Sequence, residues 1–555
     1  MTLQHGPAAI EALRAMVRDP AVLCAVEVDP EARRGARLSV LALADTTRTL
    51  LIDVSATPTL ATAWPSDHAL CAYDAKVVHR ALLRAGAGGP SRWACVRTTE
   101  ILLAGGRAID LDLEATATRY GMPSPPDGSA GLSDLAARAQ AIAHLVDKQI
   151  PLLRTSAMVH VSRIEAAAVA PIAEMEHHGV PFDEQAWRTL DEQAQSERDV
   201  LAGELRVMLR PGTGSNLFGK DELNLESDAE LRSALQALGH ALPNLRRDTV
   251  ARLPTPLGPM LARFRELCKL VSTYGESFLE HVATDGRIHP TFEAIGASTG
   301  RMACHAPNLQ AVPKDGPHRA CFRADEGRAL VTADYATCEL RILAEMSGDP
   351  VFAQAFARGE DLHARVAREM FGKPVSKTEN AELRQRAKAI NFGLAYGMGA
   401  GGLARTLDSS VDQARTLLRE YFRRFPKIGA FLEDSAREAL ARGYATTLAG
   451  RRLYFDDLDT SEARSQAERI AKNMPIQGTN ADITKIALAR LRRRLATFER
   501  AFTVHAVHDE LVVECQESQS QEVAAAVADE MRAAGAELLR RIPLGVEVHV
   551  GRTWG

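Results

Sequence analysis

The sequence predicts a mixed α/β protein of several domains: a small α/β domain first, then a charged helical segment, then an α+β region that holds the polar clusters. Three observations predict this. Residues 22–28 (VLCAVEV), 37–44 (RLSVLALA) and 49–54 (TLLIDV) are apolar runs of strand length, and AKVVHRALLRAG (75–86) follows with helical spacing. Residues 182–275 are charged and mostly helical in pattern. Beyond residue 285, strand-like runs alternate with polar clusters unlike ordinary loops. A chain of 555 residues fits about three or four domains.

Composition narrows the class. Hydrophobic residues make up 46% and charged residues 25%, an ordinary globular balance. No apolar run of ~18 residues occurs, so no membrane span is expected. The start, MTLQHGPAAIEALRAMV, lacks the basic and apolar parts of a signal peptide. Eight cysteines without a CxxC pair argue for a reducing cytoplasm and against a zinc site or a disulfide framework. No short-period repeat is present. The net charge of −4 does not announce a nucleic-acid binder, which would need a local basic groove.

Along the chain, GMPSPPDGSAG (121–131) reads as a loop, and IEAAAVAPIAEMEHHGV (164–180) as a helix. SDAEL (227–231) offers a capping box, Ser227 with Glu230. In RALVTADYATCELRILAEMSGD (328–349), ALVTA reads as a strand with Asp334 at its end, and ELRILAEM as the following helix. In TVHAVHDELVVEC (503–515), two buried strands flank His508-Asp509-Glu510. Either aspartate taken alone fits a turn or a cap. Taken together, two carboxylates that each close a strand would share one patch if the strands are neighbours. Such a pair repels, and a divalent cation offsets the repulsion. Few protein oxygens favour Mg²⁺, which keeps waters and takes substrate phosphates. Two such ions suit phosphoryl transfer.

AELRQRAKAINFGLAYGMG (381–399) reads as a helix with a chemical face. Arg384, Lys388, Phe392 and Tyr396 fall at roughly 0, 40, 80 and 120° around its axis, and Leu383, Ala387, Ile390 and Leu394 on the opposite stripe. A solvated face explains the cations but not the two rings in line with them. Cations grip a triphosphate, and rings stack on a base or cover a sugar. Gly393 and Gly397 leave room for close approach. A nucleotide fits the stripe.

DYATCELR (334–341), RQRAKAINFGLAYG (384–397) and VHDELVVE (507–514) resemble, in this order, the polymerase motifs of family A DNA polymerases of the bacterial DNA polymerase I type. STGRMACHAPNLQ (298–310), DLHARVAREMFG (361–372), GYATTLAGRRLYF (443–455) and ERIAKNMPIQGTNADI (468–483) are similar to the same family, so the resemblance spans roughly residues 160–555. It implies a right hand of palm, fingers and thumb that copies primer–template DNA from dNTPs, as a monomer, with two Mg²⁺ ions or Mn²⁺ in their place. Asp334 and Asp509 would hold the metals, with Glu510 beside them. Arg384, Lys388 and His363 would hold the triphosphate, and Lys388 is placed to protonate the leaving pyrophosphate. Phe392 would lie against the incoming sugar, Tyr396 would stack at the templating position, and Glu339 would close the space of a ribose 2′-OH. Arg301, Asn308, Gln310, Gly397, Arg469, Asn473, Gln477 and His508 match positions along the DNA. Minor-groove contacts there can test shape without reading sequence. Pro475 interrupts the segment carrying Arg469, Asn473 and Gln477, so no helical phase is assigned to them.

The implied domains are a degenerate RNase H-like 3′–5′ exonuclease-type domain (1–155), palm entry (156–181), thumb (182–275), palm (276–345), fingers (346–465) and palm again (466–555). No 5′-nuclease segment is expected before the first domain. That domain departs from the family's carboxylate pattern. Its first strand carries Glu27 and Asp29 in reversed and shifted order, DAKVV offers Asp74 and Val78, and AIAHLVDK (141–148) has no tyrosine. The expectation is a folded domain that does not proofread, with an unusual set of Glu27, Asp29 and Asp74 as the alternative. Thr337 and Cys338, and MACH (302–305), also depart from the family near the nascent pair, which bears on error rate. A specialised repair, translesion or mobile-element polymerase would carry the same active site.

Overall fold

The computed structural model describes residues 2–18, 23–64, 69–127, 131–209, 223–314, 316–395, 397–456 and 458–554. The chain forms two compact units. One comprises Met1–Gly179, Pro290–Gln310 and Glu326–Arg552; the other comprises Val180–His289, Ala311–Asp325 and Thr553–Gly555.

The first unit begins with a six-stranded sheet. Strands β1 (Leu3–Gln4), β2 (Cys24–Val28), β3 (Val40–Ala44), β4 (Thr49–Asp53), β5 (Ala69–Ala72) and β6 (Arg92–Cys95) lie in the order β1-β4-β3-β2-β5-β6. The three predicted apolar runs are β2, β3 and β4, joined as an antiparallel meander, and β5 returns parallel to β2. Every residue of β2 is buried because both faces are covered. Val26, Leu41, Leu43 and Ile52 pack with Leu13, Val78 and Leu82 on one face. Ala25 and Cys71, and next to them Ala42 and Leu51, pack on the other face against the helix Leu132–Thr155.

The second unit contains the predicted segment 182–275, here the helices Glu184–Leu209, Asp228–Ala237, Arg247–Val250 and Leu257–Tyr274. Leu205, Leu231, Leu235, Leu261 and Phe264 form its core, and Trp187 stacks on Phe278 at 4.4 Å. A short pair, β7 (Val180–Pro181) with β8 (Arg287–Ile288), closes it. The capping box at Ser227 is only half formed. Ser227 accepts from the Glu230 amide at 3.3 Å, but the Glu230 carboxylate accepts from the Asn224 amide at 3.0 Å. The Ser227 amide is already taken by the Asn224 carbonyl, so the reciprocal bond has no donor left.

The rest of the first unit is built on a four-stranded antiparallel sheet. Two small hairpins accompany it: β9 (Thr291–Glu293) with β10 (Ala303–His305), and β12 (Tyr444–Thr446) with β13 (Arg452–Tyr454). The sheet has the order β14-β15-β11-β16, from β11 (Arg328–Ala336), β14 (Phe502–Val507), β15 (Glu510–Gln516) and β16 (Gly545–Gly551). Tyr335 donates its hydroxyl to the Met531 carbonyl at 2.7 Å, pinning β11 to the helix Ser520–Leu538 behind it. Among the described residues, six helices lie between Pro350 and Arg442.

One expectation is corrected here. The helix Ser461–Leu495 runs through Pro475 without a break. Proline removes one intrahelical hydrogen bond, but Pro475 and its neighbours Met474, Ile476 and Gln477 are buried, and that packing holds the helix on course. Arg469, Asn473 and Gln477 are therefore four residues apart along one face.

A buried charge network ties these parts together. Arg451 donates to Asp482 Oδ1 from Nε at 3.0 Å and from Nη2 at 2.6 Å, and also to Glu165. Lys485 Nζ donates to Glu165 Oε1 at 2.5 Å and to the Gly300 carbonyl at 2.8 Å. Two cations meet two anions with neighbours that satisfy them, which is how buried charges persist. Gly300 has φ +90°, and a Cβ there would lie 2.5 Å from Arg451 Nε, so only glycine fits.

Candidate active site

Sheet register brings the predicted carboxylates together. Asp334 pairs across the sheet with Glu510, the first residue of β15, and Val507 of β14 pairs with the same Glu510. His508 and Asp509 are therefore the two residues of a tight hairpin turn. His508 takes φ +56°, the left-handed conformation that such turns require. Asp334 does not close its strand as the sequence suggested. β11 continues to Ala336, and Thr337 then turns the chain at φ +54° into the helix Cys338–Ser347. The antiparallel partner β16 continues alongside as far as Gly545, opposite Ala336, and extends the strand past the aspartate.

Burial pushes the Asp509 carboxyl up to about 7; the negative charges of Asp334 and Glu339 add to this, and Arg301 opposes it. A carboxylate whose neighbours' negative charge raises its affinity for protons is favoured in the same way by a divalent cation. Among the described residues no three His, Cys, Asp or Glu side chains form a metal cage. The oxygen donors of Asp334 and Asp509 fit Mg²⁺, which takes one or two carboxylates and completes its shell with water and substrate oxygens.

Around this pair stand other predicted residues. Arg301 Nη2 donates to Glu339 Oε1 at 2.5 Å, and Glu339 is 6% exposed. His508 is held below its ordinary value by burial and then by Arg301, with Glu510 and Asp334 opposing. Gln310 donates to the Ala506 carbonyl at 3.1 Å, next to the hairpin, while Asn308 is exposed.

The predicted helix spans Ala381–Ala395 with its stripes as expected: Ala387, Ile390 and Leu394 are buried, Lys388 is exposed, and Arg384 and Phe392 are half-buried. Tyr396 lies outside the described residues. Gly397 has φ +67°, and a Cβ there would meet the Arg469 carbonyl at 2.8 Å. Arg384 Nε donates to Asp361 Oδ2 at 2.7 Å, and Asp361 also caps the helix Leu362–Phe371 by accepting from the Ala364 amide. His363 follows on that helix, its ring centroid 5.5 Å from that of Phe392. Burial pulls His363 down to about 4, helped by Arg384 and Lys388 against Asp361, so the ring is neutral near pH 7.

Two residues missed in the sequence belong to this site. Asn391 is fully buried, with Nδ2 3.1 Å from His363 Nδ1 and Oδ1 accepting from the Tyr421 hydroxyl at 3.1 Å. It falls at about 340° on the helical wheel, at the rim of the apolar stripe, where a lone polar residue was the available signal. Asp361 could have been found as an acidic N-cap two residues before the DLH histidine. Asn391→Leu should cost about 1–3 kcal/mol, the penalty for leaving buried polar partners unsatisfied. Denaturant unfolding tests this.

In the N-terminal sheet the candidate carboxylates are otherwise engaged. Glu27 pairs with Arg33 at 3.1 Å and lies 3.6 Å from Arg138. Asp29 caps the helix Pro30–Arg34, and Asp74 caps Ala75–Arg84 with Arg97 3.9 Å away.

A sheet that pairs Asp334 with Glu510 and a helix that carries Arg384, Lys388 and Phe392 on one stripe are the parts that comparison with known proteins places in a family. The model of DNA polymerase family A matches residues 212–555, and the chain belongs to that family. It is 35% identical over 455 residues to the thermostable DNA polymerase I of Thermus filiformis, covering 80% of this chain and 53% of that protein. It is 34% identical over 432 residues to DNA polymerase I of Mycobacterium bovis, covering 75% and 47%. The chain thus spans about half the length of these curated relatives. The solved POL domain of Pol1 from M. smegmatis, in complex with DNA primer-template and dNTP, superimposes with a TM-score of 0.83 at 29% identity, covering 100% of this chain and 99% of that one.

Proposed function

We propose that this chain is a DNA-templated DNA polymerase that extends a primer 3′ end, and that its first domain is an RNase H-like exonuclease fold that does not proofread. The observation that carries the polymerase reading is the register of Asp334 against Glu510 with Asp509 in the adjoining turn. Its relatives' names and the DNA and dNTP of the solved neighbour support it. The domain limits 1–155, 156–181, 182–275, 276–345, 346–465 and 466–555 go with this reading.

Asp334 and Asp509 would hold two Mg²⁺ ions, or Mn²⁺ in their place, with Glu510 alongside. The ions supply charge stabilisation to the attacking and leaving oxygens of the displacement. Arg384 would exchange Asp361 for the triphosphate. Lys388, exposed on the same stripe, would grip the phosphates and give a proton to the leaving pyrophosphate. Neutral His363, oriented by Asn391, would hydrogen-bond the phosphates. Phe392 and Tyr396 would cover sugar and base. Arg301, Asn308, Gln310, Gly397, Arg469, Asn473, Gln477 and His508 would follow the primer–template.

Loss of proofreading rests on Glu27, whose nearest charges are the guanidinium groups of Arg33 and Arg138 where a metal would be needed. Among the described residues no helix is long and apolar enough to cross a membrane. All eight cysteines are free thiols, which supports a reducing, cytoplasmic setting; that the chain acts as a monomer goes with the family reading.

A 5′-labelled primer–template with Mg²⁺ and dNTPs tests the first claim, and a mismatched primer without dNTPs tests the second. Extension without shortening is expected. No extension refutes the polymerase, and primer shortening refutes the silent exonuclease. Glu339→Ala should lower discrimination against ribonucleotides by about tenfold or more, since one buried polar pairing is worth roughly 1–3 kcal/mol. Unchanged selectivity in single-nucleotide addition would remove the gate role.

A further inference from the structure

Four arginines ring a cavity of about 710 Å³ that opens where β5 and β6 begin. Arg92 starts β6, Arg163 lies on the helix Val159–His178, and Arg492 and Arg493 end the helix Ser461–Leu495. Glu174 holds Arg492 through Nε at 2.8 Å and Nη2 at 2.7 Å. Among the described residues, the side chains of Arg92, Arg163 and Arg493 make no ion pair or hydrogen bond.

The plain reading is that arginines at a helix C-terminus complement its dipole. That accounts for Arg493. It leaves out Arg92, which comes from a strand, and Arg163, which sits near a helix N-terminus, where the dipole disfavours a cation. Guanidinium groups stay charged at all working pH values, so their convergence from three elements on one cavity asks for an anion. Planar forks match phosphate oxygens in pairs.

We propose that this cavity binds a nucleoside 5′-polyphosphate, apart from the polymerase centre and independently of that reading. The arginines take the phosphates, and alanines of the two helices with Trp93 form an apolar wall for the base. The cavity has the size of small-ligand pockets, about 300–1,000 Å³. A volume of about 710 Å³ holds one nucleotide and not a run of them, which favours a nucleotide over a strand.

The test is calorimetric titration of the full chain with ATP, free of divalent metal and at physiological ionic strength. A saturable one-to-one component is expected. It should persist in Arg384→Gln/Lys388→Gln and weaken about tenfold or more in Arg163→Gln/Arg493→Gln, given two lost charge-assisted contacts. Primer extension by the latter variant should match wild type and report its folding. If that variant misfolds, Ala167→Phe fills the cavity without touching a charge and should abolish ATP binding. Binding lost only in the Arg384/Lys388 variant overturns the site. So does equal affinity for inorganic tripolyphosphate, which would leave the base no role. So does tighter binding of a single-stranded oligonucleotide that displaces ATP, or no saturable binding at all.

Discussion

Asp509→Ala is expected to abolish nucleotide addition while primer–template binding survives. Asp509 occupies a two-residue turn that has no slack, next to Glu510, which pairs with Asp334 on the neighbouring strand. An alanine there keeps the turn and removes one of two carboxylates. Several kcal/mol of transition-state charge stabilisation would rest on the metals proposed for this pair, so single-turnover extension should fall by at least about 10³-fold. Fluorescence anisotropy with labelled duplex should show affinity within a few-fold of wild type. Because the substitution also relieves repulsion with Asp334 and Glu339, cooperative unfolding in metal-free buffer should be no earlier than in wild type. Synthesis retained within tenfold of wild type would sink the assignment. Early unfolding would mean that the loss is one of folding, not of chemistry.

Arg451→Met should have the largest effect on stability. The substitution leaves Glu165 and Asp482 facing one cation, Lys485, in a space from which water is excluded. Breaking a buried ion network by removing one member costs about 3–5 kcal/mol, because the remaining charges lose their partner without regaining water. Urea unfolding should show this as a lower midpoint at unchanged slope. Asp482→Asn added to Arg451→Met should restore part of the loss, since it removes the excess anion. A cost below about 1 kcal/mol would class the network with weak surface pairs. The network also touches the Gly300 carbonyl, next to Arg301, so the same variant should extend primers more slowly even where it is folded.

Much of the active site was legible because its signals are local. The stripe of Arg384, Lys388 and Phe392 follows from helical geometry, and the His508-Asp509 turn from two apolar runs with too few residues between them for anything else. The order of β2, β3 and β4 was readable for the same reason. Asn391 was not, because its value lies in His363 and Tyr421, each about thirty residues away. The passage of the long helix through Pro475 was also misjudged. Local propensity argued for a break, and burial of the surrounding turn overruled it.

By itself the sequence determined which residue types recur at which short spacings: two acidic strand segments, a cationic and aromatic helix face, and an N-terminal segment that carries Glu27, Asp29 and Asp74. Those are properties of a few neighbouring residues, and helix and strand periods translate them directly into faces and turns. Only the tertiary structure decided that Asp334 meets Glu510, that Asp361 holds Arg384, that Glu165 shares a charge network with Lys485, and that four arginines from three elements surround one cavity. Such partners are up to 320 residues apart in the chain. Their meeting depends on strand order, sheet register and helix packing, which arise from the burial of the whole chain and leave no mark at either position alone.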